Sequence, residues 1–114
     1  MRQLEGTAPA EPVLEVRVLR ILRAARIEPP VRQHEVVIAG RRYRIDLAWP
    51  DVKVGVECEG YAVHGRRRAY VPDRTRLANL VGAGWRLIPV TWEQTKDYRK
   101  LVSLVQLTLL EAAS

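Results

Sequence analysis

Apart from Asp51 beside Pro50, three acidic residues, Asp46, Glu57 and Glu59, stand among the valines and leucines of the stretch YRIDLAWPDVKVGVECEG, residues 43–60. Tyr43, Ile45 and Leu47 alternate with Arg42, Arg44 and Asp46; Val52, Val54, Val56 and Cys58 alternate with Lys53, Gly55, Glu57 and Glu59. A period of two puts each set on one face of a strand. The stretch therefore reads as a β-hairpin turning at Pro50-Asp51, with one apolar face toward a core and one charged face that holds all three acids. In the register of a two-residue turn, Asp46 faces Gly55 and Glu57 is its diagonal neighbour, about 7–8 Å away. Gly55 would leave open space between the two carboxylates. Carboxylates gathered on one face repel each other unless a cation sits among them. Ligation by oxygen alone suits Mg²⁺, which keeps waters and accepts substrate phosphate oxygens. Such an ion activates water and stabilises a leaving group. The competing reading pairs each acid with a cross-strand arginine such as Arg42 or Arg44.

The acids lie in a basic chain. Lys and Arg number 19 against 13 Asp and Glu, a formal charge of +6, and most of the positive charge is arginine. That balance fits a nucleic-acid partner, because guanidinium groups contact phosphate in bidentate fashion. Arg66, Arg67 and Arg68, in the stretch GYAVHGRRRAYVP (60–72), and Arg74 and Arg76 beyond it are the candidates for backbone contacts. His64 lies in the same stretch and titrates near neutrality, so it is a candidate proton acceptor. Acids within a basic surface make sense as a centre that cleaves phosphodiesters.

Elements that position these residues follow from periodicity. The spacing of Leu14, Val18, Leu22 and Ala25, with Ile21, predicts a helix over 11–26, stopped by IEPP at 27–30. VRQHEVVI (31–38) reads as a strand, AGR (39–41) as a turn. A helix capped by Asp73 buries Leu77, Leu80 and Val81 and ends at Gly84. A strand over 85–92 and a helix over 97–112, with Leu101, Leu104, Val105, Thr108 and Ala112 on one side, complete an order of α β β β α β α. Residues 1–10 read as a flexible segment and 11–114 as a single domain. Trp49, Trp85 and Trp92 are expected to pack rather than stack on bases, and Cys58 to be buried between two outward acids.

A single cysteine excludes an internal disulfide and fits a reducing cytoplasm, and with two histidines it is too little for a structural zinc site. No run of 18 apolar residues is present, so a membrane span is not expected. The N-terminal stretch lacks the apolar core of a signal peptide.

The segments GRRYRIDLAWPDVKVGVECEGYAVHG and DRTRLANLVGAGWRLIPVTW resemble the small bacterial domains grouped with very-short-patch-repair endonucleases, in the PD-(D/E)XK nuclease superfamily. The resemblance runs from about Val13 to Trp92. It implies an α/β fold with a restriction-endonuclease-like core, a mixed four-stranded sheet flanked by helices. It also implies Mg²⁺-dependent cleavage of DNA, with Mn²⁺ as a substitute, in repair or defence. By position, Asp46 and Glu57 match the two metal-binding acids and Glu15 the acid of the first helix. Glu59 stands where the superfamily pattern has lysine, so either Glu59 or His64 assists the attacking water. The alternative from another class is a non-catalytic nucleic-acid-binding module, such as a regulatory or toxin–antitoxin component.

Overall fold

The computed structural model describes residues 11–60 and 70–114, with side chains described for 13–59 and 74–114. The elements are α1 (Glu11–Ala24), β1 (Val31–Ile38), β2 (Arg41–Trp49), β3 (Val54–Gly60), α2 (Tyr70–Gly82), β4 (Arg86–Thr91), α3 (Trp92–Lys96) and α4 (Tyr98–Ala113). The expected order holds, with one short helix added before the last. The four strands form a mixed sheet in the order β1-β2-β3-β4. β1–β2 and β2–β3 are antiparallel, β3–β4 parallel. A parallel neighbour needs a crossover, and α2 provides it. Pro89 is tolerated because β4 lies at the sheet edge.

Helices cover both faces. Leu14, Val18 and Leu22 of α1 and Leu101 and Val105 of α4 pack on Leu47, Trp49, Val54, Val56, Cys58, Ile88 and Val90. On the other face Ile45, Ala48, Leu80 and Trp85 form a second cluster, joined by Val36, Ile38, Tyr43, Ala83 and Leu87. The expectation of one apolar and one charged hairpin face is therefore corrected. Val54, Gly55 and Val56 are all buried, so the middle of the sheet is dry on both sides. Period-two alternation also fails at Asp46. Ile45 packs with Ala48 on the α2 side, while Leu47 belongs to the α1 side. The break lies opposite Gln33, which takes φ 52° and drops out of the β1–β2 ladder between the pairs Arg32–Leu47 and His34–Ile45.

Helix ends differ in similar ways. α1 stops at Ala24: Arg26 adopts φ 61°, its N–H donates to the Arg23 carbonyl, and the Ile27 N–H donates to the Leu22 carbonyl. These two bonds are the Schellman pattern that closes a helix. α2 begins at Tyr70, so Asp73 lies in its first turn rather than at its cap. Leu80 of α2 is buried, but Leu77 and Val81 are exposed, as is Leu104 of α4. The inward face of α2 instead presents Arg76, Asn79 and Leu80, and the two polar members reach β2. Asn79 Nδ2 donates to Tyr43 Oη at 2.7 Å, and Arg76 Nη2 donates to the Arg44 carbonyl.

Candidate active site

The β2–β3 ladder pairs Leu47 with Val56, Ala48 with Gly55 and Trp49 with Val54. The turn therefore spans Pro50 to Lys53, four residues rather than two, held by Val52 N–H to Trp49 O and Lys53 N–H to Pro50 O, each 3.2 Å. Continuing that register sets Asp46 directly opposite Glu57, not diagonal to it. Nor does Gly55 keep space open between the acids. It faces Ala48, and a Cβ there would meet Ile45 Cγ2 at 2.7 Å and Leu87 Cδ2 at 3.0 Å. The glycine makes room for core side chains.

Beyond Leu47 and Val56, the carboxylates take over from the ladder. Asp46 Oδ2 accepts the Cys58 N–H at 2.8 Å, and Glu57 Oε2 accepts the Asp46 N–H at 3.4 Å, a long bond. Each acid thus reaches the other strand's backbone, and the two side chains are drawn together where the strands separate. Glu57 also meets α2: Arg76 Nη2 lies 2.7 Å from Glu57 Oε1. The Glu57 carboxyl is pushed up to about 7, first by burial and also by the charge of Asp46; Arg76 and the Asp46 N–H oppose this without cancelling it. Near neutrality Glu57 therefore lies close to its titration point, and a cation of higher charge beside it would hold it ionised. Two carboxylates offering oxygen alone fit a hard divalent ion that keeps part of its water shell.

The other candidates lie differently. Glu15 is 4% exposed in α1 and bound to β1, accepting Arg32 Nε at 2.6 Å and Gln33 Nε2 at 2.7 Å. Among the described residues, no group of three or more His, Cys, Asp and Glu gathers to hold a metal ion; Glu15 thus stands apart from the Asp46–Glu57 pair. Glu59 is exposed two residues beyond Glu57 on β3, with buried Cys58 between them. Arg74 is exposed on α2. His64, Arg66, Arg67 and Arg68 lie outside the described residues. The tryptophans pack as expected. Trp49 is buried and donates to the Glu28 carbonyl at 2.7 Å, Trp85 is buried against His34, and Trp92 packs against the larger core cluster. Arg76, by sequence a candidate for a phosphate contact, pairs with Glu57. The only signal was its place one turn before Leu80, on the same helix face.

The fold is an α/β core, a mixed four-stranded sheet flanked by helices. It is similar to the solved structure of the homing endonuclease I-Bth0305I catalytic domain, with a TM-score of 0.68 and 21% sequence identity over 88% of this chain and 96% of that one. The chain is also 27% identical over 95 residues to the uncharacterized proteins MT2308 and Rv2248 of Mycobacterium tuberculosis, strains CDC 1551 and H37Rv. These alignments cover 81% of this chain and 34% of each relative, so the chain spans about a third of the length of the curated relatives it matches. No protein-family model matches it. Among the described residues no helix is long and apolar enough to cross a membrane.

Proposed function

We propose that this chain is a divalent-metal-dependent DNA endonuclease or nickase of the very-short-patch-repair-like kind, acting in repair or defence. The observation that carries the reading is the meeting of Asp46 and Glu57 where β2 and β3 part, on a fold similar to an endonuclease catalytic domain. Asp46 and Glu57 would hold Mg²⁺ or Mn²⁺, with Glu15 as a further ligand if the β1 contacts of its carboxylate open. When bound, such an ion supplies an activated water and charge stabilisation for the leaving oxygen. The chain's own groups do the rest. Glu59 or His64 takes the proton from the attacking water. Arg66, Arg67, Arg68 and Arg74 hold backbone phosphates. Arg76, paired with one Glu57 oxygen, competes with the ion for that oxygen.

One observation favours the alternative, a nucleic-acid-binding module without catalysis. Arg76 pairs with Glu57 and Arg32 with Glu15, as expected if the acids serve only to hold elements together. Incubation with supercoiled plasmid and short duplexes, in Mg²⁺ or in EDTA, decides between the two. The endonuclease cuts in Mg²⁺ and not in EDTA, and Mg²⁺ raises its melting temperature. DNA binding without cutting, and a melting temperature unmoved by metal, would establish the binding module.

A further inference from the structure

The β1–β2 hairpin carries a second basic surface that none of the site residues above uses. One face of the hairpin is fixed: Val36 and Ile38 of β1 and Tyr43 of β2 pack with Leu80, Ala83 and Trp85 beside α2, and Asn79 bonds the Tyr43 hydroxyl. The opposite face is bare. Glu35 and Val37 of β1 lie there, directly across from Arg44 and Arg42 of β2, and all four are exposed, Val37 by 64%. Arg41 follows the turn at Ala39 and Gly40, both at positive φ, and is exposed too. Among the described residues Arg41, Arg42 and Arg44 form no salt bridge, not even Arg44 with the facing Glu35. Two guanidinium groups, those of Arg42 and Arg44, thus stand on the face opposite the one that anchors the ribbon, while Arg41, across from Ile38, is exposed at its turn end.

We infer that the β1–β2 ribbon is a duplex-DNA arm, with Arg42 and Arg44 holding backbone phosphates beside the cleavage centre. The inference rests on the endonuclease reading for its choice of partner. Charge complementarity selects a polyanion, and a two-stranded ribbon is an element that fits against a duplex groove. Continuity with the site selects the position. Arg44 is two residues before Asp46 on the same strand, roughly 7 Å along it, and Arg42 roughly 13 Å. A duplex whose backbone lies over Asp46 therefore runs along these side chains. Arg76, which donates to the Arg44 carbonyl and pairs with Glu57, ties the ribbon's backbone to the acids. The exposed side chains of Arg42 and Arg44 are outside that contact, so removing them opens no cavity and leaves the acids in place.

The test is fluorescence anisotropy of a labelled 20-bp DNA duplex titrated with the full chain in EDTA, at several salt concentrations. Arg42→Ala/Arg44→Ala weakens binding and flattens the log–log salt slope by about 0.9 per lost phosphate contact. Arg42→Lys/Arg44→Lys keeps most of the slope, and circular dichroism of both variants matches the wild type. A wild-type slope in the double alanine variant would overturn the arm while leaving the endonuclease reading intact. So would equal binding, with the same loss, to an RNA duplex of matched length. A wild-type chain that binds no duplex would overturn both. A wild type that leaves plasmid uncut in Mg²⁺, with the salt-slope change present in the EDTA titration, would sink the endonuclease reading alone.

Discussion

At its turn end the β2–β3 ribbon pairs Leu47 with Val56, Ala48 with Gly55 and Trp49 with Val54, and all six residues are buried. At its open end Asp46 and Glu57 fill the gap between the strands, each accepting a backbone N–H from the opposite strand. The turn end is apolar on both faces and leaves no freedom of register. The open end spends that certainty on two like charges side by side, one of them held near its titration point. The difference shows how one ribbon serves two purposes. The dry half fixes the strands, and the fixed strands force together two carboxylates that would otherwise separate. Charge repulsion at one end is tolerated because packing at the other determines the geometry.

The largest expected effect breaks the open end. Asp46→Ala and Glu57→Ala each abolish cleavage of plasmid in Mg²⁺, while circular dichroism stays that of the wild type, since neither side chain fills the core. A variant that cuts at the wild-type rate would remove that residue from the site.

Next in size is a pH effect confined to the same end. The Glu57 carboxyl, raised from 4.5 to about 7, keeps a proton in the folded chain that the unfolded chain has already released between those values. Its contribution to stability is therefore full below pH 4.5, falls as pH rises through that window and levels off above 7. The whole loss is on the order of 3 kcal/mol. Glu57→Gln lacks it, so denaturant unfolding at pH 5 and pH 8 should show the variant gaining on the wild type as pH rises. Parallel stability profiles would mean that Glu57 is not held near neutrality.

The turn end is tested by Gly55→Ala. The added methyl meets Ile45 and Leu87 in a packed layer, and the variant loses about 1–3 kcal/mol in denaturant unfolding. A neutral result would show slack between β2 and the α2 side. The smallest effect concerns Arg76. With its guanidinium removed, Arg76→Ala frees one oxygen of Glu57 and binds divalent ions a few-fold more tightly, a gain under about 1 kcal/mol. Equal or weaker affinity would make Arg76 a support for the site and not a competitor for it.

Much of this was legible in the sequence because it depends on short periods. VRQHEVVI gave β1 to the residue, and the alternation around Asp46 and Glu57 gave two strands and their acids. The features that were not legible depend on partners far along the chain. Pro50-Asp51 suggested a two-residue turn, but the buried pairing of Leu47 with Val56 fixes a four-residue one. Ile45 leaves its periodic face because the ladder skips Gln33, a residue with no turn signal of its own. Gly55 read as an opening because its neighbours from β2 and β4 are invisible to local pattern. Leu77 and Val81 scored as core on α2 by hydrophobicity, yet the inward face carries Arg76 and Asn79, whose partners lie 32 and 36 residues away.

Isothermal titration of Mg²⁺ into the wild type and Glu57→Ala near pH 7, in two buffers of different ionisation heat, tests most directly whether the parting strands hold a metal. One ion is expected to bind the wild type. Because Glu57 titrates near that pH, binding releases a substantial fraction of a proton, roughly half from this group. Glu57→Ala should bind far more weakly and release none. Absence of binding by the wild type, or equal affinity and proton release in the variant, would contradict a metal site at the parting strands.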